Sequence, residues 1–163
     1  MEAGKIILKE RKEKISCVAE VKLKYAIETD INSLPKVTQA SDAFKILRDN
    51  WDNDSICFYE TFKVLLLNKA NRVIGSFTAS TGGMTGTVVD PKIIFMAALT
   101  TGAGAIILCH NHPSGNLKPS QSDILVTKRL VEGGKLLEIP VLDHLIINAS
   151  EDRYYSFADN NMI

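Results

Sequence analysis

Residues 105–123 read Ala105-Ile106-Ile107-Leu108-Cys109-His110-Asn111-His112-Pro113-Ser114-Gly115-Asn116-Leu117-Lys118-Pro119-Ser120-Gln121-Ser122-Asp123, and the rest of the chain takes its order from them. The first four are an unbroken apolar run, the composition of a strand buried on both faces. Side chains two apart on an extended segment share a face, so His110 and His112 can offer both imidazoles to one point. Pro113, Gly115 and Pro119 then turn the chain, and Ser120 is a good N-cap for a helix. A helix begun there carries Asp123 in its first turn, where a carboxylate suits the positive end of the helix dipole. Two imidazoles and one carboxylate are zinc ligands, and three of them leave a fourth position open to water. A structural zinc site is usually closed by four protein ligands, so this set points to catalysis. Ser120-x-x-Asp123 without the histidines would read as a helix cap and nothing more.

Elements can be read outward from this motif in both directions. Asp90-Pro91 is an N-cap with Pro at the first helical position, and Ile93, Ile94, Ala97 and Ala98 give that helix an apolar face. Residues 80–87 form a glycine-rich loop without the Gly-Lys-Ser/Thr ending of a phosphate loop, which argues against a nucleotide there. Phe62 to Leu67 reads as a central strand, Asn68 to Asn71 as a hairpin turn, and Arg72 to Ala79 as the returning strand. Further back, Ser41-Asp42 opens a short helix with Phe44, Leu47 and Trp51 at helical spacing, ended by the polar cluster from Asn50 to Ser55.

Downstream, Ile124, Leu130, Val131 and Leu137 would point inward from the helix after Ser120. Gly133-Gly134 costs that helix roughly 1 kcal/mol per glycine relative to Ala and invites a kink or a stop. Ile139 to Ile147 is a further buried strand, and Tyr154 to Phe157 a short closing one. The fold class is α/β (α+β), a mixed β-sheet flanked by helices. Residues 1–40 read as an N-terminal extension, partly strand from Val18 to Ala26, with a solvated charge run at Lys9–Lys14 and a loop at Ser33-Leu34-Pro35.

A chain of 163 residues suffices for one domain with a real core. Lys and Arg total 19 against 19 Asp and Glu, so long-range attraction to nucleic acid is not built into the whole chain. No apolar run approaches the ~18 residues that span a membrane, and the patch after Lys5 is too short for a signal peptide. The cytoplasm is the expected location. Cys17, Cys57 and Cys109 are odd in number and lack CxxC spacing, so they read as reduced thiols and not as zinc ligands. Cys109 precedes His110 and faces the other side of its strand, toward the core.

The spacing His-x-His, seven residues, Ser, two residues, Asp resembles the JAMM (JAB/MPN) metalloenzyme family. The strings His110-Asn111-His112-Pro113-Ser114-Gly115 and Val141-Leu142-Asp143-His144 resemble its bacterial RadC branch, over about Ser41 to Ile163. The resemblance implies a JAMM/MPN-like (cytidine-deaminase-like) core in residues 41–163, with His110, His112 and Asp123 holding one Zn2+ per chain. It also implies that Ser120 steadies the bound water or the oxyanion. Glu60, 50 residues before His110 and just ahead of a central strand, would be the proton-transferring base. The implied reaction is metallopeptidase-type hydrolysis of a peptide or isopeptide amide.

Two departures from that family's pattern stand out. RadC-like chains carry a DNA-contacting helix-hairpin-helix region, for which the 40 residues before Ser41 are too short and too strand-like. Relatives are also expected to place an acid in the second strand, where this chain has Thr78. The competing readings are a DNA-repair or recombination accessory protein with a metal site, and a non-catalytic MPN-type interaction module. His144, beside Asp143 and outside the motif, reads as structural. The letters His-Asn-His do not make an HNH nuclease, whose residues are spread over a longer ββα unit.

Overall fold

Strand β3 (Ala105–Asn111) is buried along its whole length and occupies the centre of a five-stranded sheet. Its neighbours are β1 (Thr61–Leu67) on one side and β4 (Val141–Ile147) on the other, with β2 (Val73–Thr81) and β5 (Tyr154–Ser156) at the edges. Among the described residues only the β3–β4 pair is parallel, and the other three strand pairings are antiparallel. The molecule is thus a mixed-sheet α/β fold, as its sequence pattern requires. The computed structural model describes Tyr25 and residues 29–83, 88–150 and 152–163. The run Lys9–Lys14, Cys17, nearly all of Val18–Ala26 and residues 84–87 of the glycine-rich loop lie outside the described residues.

Among the described residues three α-helices cover the two faces of the sheet. Strand alternation divides β3 between them. Ala105, Ile107 and Cys109 pack under α1 (Ala40–Asp49) with Phe44, Leu47 and Trp51. Ile106 and Leu108 pack with Ile94, Phe95 and Ala98 of α2 (Pro91–Thr101) and Leu130 of α3 (Gln121–Leu136). Parallel neighbours need a crossover, and α3 supplies it between β3 and β4. The turn from β3 into α3 therefore lies at the carboxyl ends of the parallel strands, where open α/β sheets place their ligands. Among the described residues no helix is long and apolar enough to cross a membrane.

Some local expectations shift. Helix α1 starts at Ala40, because Asp42 reaches back to accept from the backbone N–H groups of Thr38 and Gln39 at 2.9 and 3.2 Å. Trp51 lies beyond the helix end yet is buried beneath it. In α2 the inward face is Ile94, Phe95 and Ala98, and Ile93 is 41% exposed. Leu137 caps α3 and is 38% exposed. The helix runs through Gly133-Gly134 without stopping, and close packing explains the glycines. A Cβ at Gly133 would meet Phe95 Cε2 at 2.9 Å, and one at Gly134 would run into the Ile139 carbonyl. The weak helix formers let α3 press against both α2 and the entry to β4.

Candidate metal centre

His110 lies near the end of buried strand β3, and His112 follows on the same face as the chain leaves the sheet. His110 Nε2 lies 2.9 Å from His112 Nε2 and 3.2 Å from Asp123 Oδ1, and His112 Nε2 lies 3.5 Å from Asp123 Oδ2. One ligand atom from each residue falls within 4.8 Å of the others, a group able to hold a metal ion. The sequence-expected ligand residues are therefore brought together on one point.

The helix cap aims the carboxylate. Ser120 is the N-cap of α3: its hydroxyl accepts from the Asp123 N–H at 3.2 Å, and its own N–H donates to Asp123 Oδ2 at 2.7 Å. This reciprocal capping box satisfies two N–H groups at the helix start and fixes the rotamer of Asp123. His112 is oriented from outside, with Nδ1 2.6 Å from the Asn116 carbonyl. A carbonyl only accepts, so Nδ1 carries a hydrogen, and Nε2, the atom that faces His110 and Asp123, is the one that carries the lone pair when the ring is neutral.

Charge follows from this crowding. Burial alone would raise the Asp123 carboxyl, but the hydrogen-bonding imidazoles of His110 and His112 hold it far below the ordinary carboxylate range. The Asp123 contact raises the pKa of His112, against partial burial that lowers it. Without a cation, a proton has to sit among these donors; with one, their lone pairs have a common target. The donor set of two imidazoles and a carboxylate is borderline-to-hard and fits a divalent ion such as zinc.

Glu60 directly precedes β1, whose antiparallel register pairs Phe62 with His110. Continued by two residues, that register puts Glu60 opposite His112. Burial raises the Glu60 pKa above its usual value, and the charges of His110 and His112 partly offset this. Its backbone is held on both sides: Gly82 N–H donates to the Glu60 carbonyl at 2.8 Å, and Glu60 N–H to the Gly83 carbonyl at 3.3 Å. Glu60, His112, Ser120 and Asp123 all line one cleft of about 680 Å³, whose walls include Val88 and Leu125.

Asn111, between the two histidines, faces the other side of β3 and is fully buried. Its Oδ1 accepts from Thr61 N–H at 2.7 Å, and its Nδ2 donates to the carbonyls of Ile56 and Tyr59 at 2.8 and 2.9 Å. It grips the chain on both sides of Glu60. Nothing local in the sequence points to this grip, because the partners lie about 50 residues upstream. His144, on β4, is fully buried with Nε2 2.8 Å from His110 Nδ1, and its Nδ1 is 2.6 Å from Thr127 Oγ1. Cys109 faces the α1 side and is buried, its thiol pKa pushed up by that burial. Thr78 pairs with Lys63, is exposed, and takes no part in lining the cleft.

Fold and site together define a mixed-sheet α/β domain with a three-donor, metal-competent cleft at the carboxyl end of its parallel strands. The chain belongs to the RadC-like JAB domain family, whose model matches residues 37–162. It is 44% identical over 133 residues to a UPF0758 protein of Flavobacterium johnsoniae, covering 82% of this chain and 56% of that one. A UPF0758 protein of Caldanaerobacter subterraneus is 39% identical over 156 residues, 88% of this chain and 66% of the relative. A third, from Salinibacter ruber, is 46% identical over 104 residues, 64% of this chain and 44% of its own length. The chain thus spans roughly half to two thirds of these curated relatives.

Proposed function

We propose that this domain is a zinc-dependent hydrolase that cleaves peptide or isopeptide amides, with His110, His112 and Asp123 as the metal ligands. The observation that carries the proposal is the convergence of those three donors at a cleft that His112 and Asp123 line together with a half-buried glutamate, Glu60. A zinc ion held there would act as a Lewis acid, polarising a carbonyl and bringing the pKa of water toward ~7. Glu60 takes the proton from the attacking water and returns it to the leaving amine nitrogen. A carboxyl raised by burial suits both transfers better than an ordinary one. The Ser120 hydroxyl, at the cleft wall, is placed to donate to the carbonyl oxygen as charge builds on it, a contribution on the order of 3 kcal/mol. The exposed Val88 and Leu125 give the substrate chain apolar surface on which to lie.

The test is the zinc-loaded full chain against a panel of peptides and isopeptide-linked conjugates. Cleavage of at least one class is expected, with Glu60→Gln retaining zinc and losing turnover by orders of magnitude. No cleavage anywhere in the panel, or a fully active Glu60→Gln, contradicts the assignment.

A further inference from the structure

We propose that His144 and Thr127 form a hydrogen-bond relay that fixes the ring tautomer of His110, leaving its Nε2 bare for the metal. The proposal rests on the metal-holding reading above and concerns how one ligand is prepared.

The direction of each bond can be worked out from one end. The Asp123 backbone carbonyl can only accept, and Thr127 Oγ1 lies 2.5 Å from it. The single hydroxyl hydrogen of Thr127 is therefore spent on that carbonyl, the familiar back-bond of a helical threonine to the residue four before it. Toward His144 the same oxygen must accept, so His144 Nδ1 carries a hydrogen. His144 is fully buried and its ring nitrogens meet only Thr127 Oγ1 and His110 Nδ1, with no carboxylate against the ring to balance a charge, so the ring is neutral. A neutral ring has one N–H, so His144 Nε2 is a bare acceptor. It faces His110 Nδ1 at 2.8 Å, which must donate. A neutral His110 with hydrogen on Nδ1 has its lone pair on Nε2, the atom that faces His112 and Asp123.

Both ligand imidazoles are thus set by a backbone carbonyl. His112 reads the Asn116 carbonyl directly, and His110 reads the Asp123 carbonyl through two side chains. The first turn of α3 supplies a ligand carboxylate from Asp123 and, from the same residue's main chain, the reference for the relay. Aromatic rings keep the planes in place. Phe62 lies parallel to His110 at 5.9 Å and Phe157 stacks on His144 at 4.8 Å. A ligand histidine whose other nitrogen is held as a donor binds metal more tightly, and loss of such a partner typically costs about 10–100-fold. His144 and Thr127 are positioning residues and touch neither metal nor substrate.

The test uses the full chain and competition for zinc against a chromophoric chelator. Thr127→Val keeps the shape, removes the hydroxyl, and should weaken zinc binding by about 10–100-fold, with Thr127→Ser restoring it to within a few-fold. His144→Phe should weaken it at least as much. Long-range 1H–15N spectra of the wild type should show His144 as a neutral ring protonated at Nδ1, a readout that needs no metal and survives if His144→Phe does not fold. A His144 protonated at Nε2, or wild-type zinc affinity in a folded Thr127→Val, overturns the relay. Absence of zinc binding in the wild type would instead overturn the metal-site reading, leaving the tautomer to be judged from the spectra.

Discussion

The two halves of β3 are equally buried and chemically opposite. Ala105 to Leu108 meet only hydrocarbon, and their neighbours have to supply shape. His110 and Asn111 are as dry, but every polar atom on them has a named partner, at 2.7–3.2 Å, on four other segments. The first half buries apolar area, at about 25 cal/mol per Å². The second half yields little net stability and a large penalty if any one partner is lost. Sheet geometry joins the two: the apolar half fixes the register that lets the polar half meet Asp123, His144, and Tyr59 and Thr61 on either side of Glu60.

The difference can be broken at either end. Leu108→Ala, at a fully buried position between α2 and α3, should cost about 3–4 kcal/mol in urea unfolding, equally with and without zinc. A cost that zinc changed would mean that the apolar half belongs to the site. Zinc at a hundred times its dissociation constant should raise the unfolding free energy by about 2.7 kcal/mol. His112→Ala should abolish that increment while shifting metal-free stability by only about 1 kcal/mol, since the ring lies at the cleft surface and Nδ1 makes a single bond, to the Asn116 carbonyl. Asn111→Ala leaves one donor and two acceptors around Glu60 unpaired and should cost roughly 2 kcal/mol by the same unfolding measurement. Asn111→Asp offers acceptors where donors are needed and should not rescue it. Cys109 sharpens the comparison without an energy cost. Though it adjoins His110, its thiol should resist alkylation in the folded protein while the exposed Cys57 reacts, as located by mass spectrometry.

The same division governs what could be read in advance. Apolar periodicity and turn chemistry gave the strands from Phe62 to Leu67 and Ala105 to Leu108, the caps at Asp90 and Ser120, and the mixed sheet, because these are local properties. The pair His110 and His112 with Asp123 was legible for the same reason: a strand end and a helix start lie within fourteen residues. Periodicity tells which face a side chain takes and not which distant group it meets. Asn111 with Tyr59, and His144 with His110, are separated by 52 and 34 residues and became visible only through strand pairing. Ile93 was misread for a related reason. The apolar stripe of α2 is wide, and the wall formed by Gly133 and β1 decides that Phe95 turns inward.

The account stands or falls on where a divalent ion goes. Anomalous diffraction at the zinc edge from crystals of the zinc-loaded chain would locate it. The expected result is a single peak bound by His110 Nε2, His112 Nε2 and an Asp123 carboxylate oxygen, each at about 2.0–2.2 Å. No peak there, or zinc held by other residues with the three side chains still bonded to one another, would contradict it.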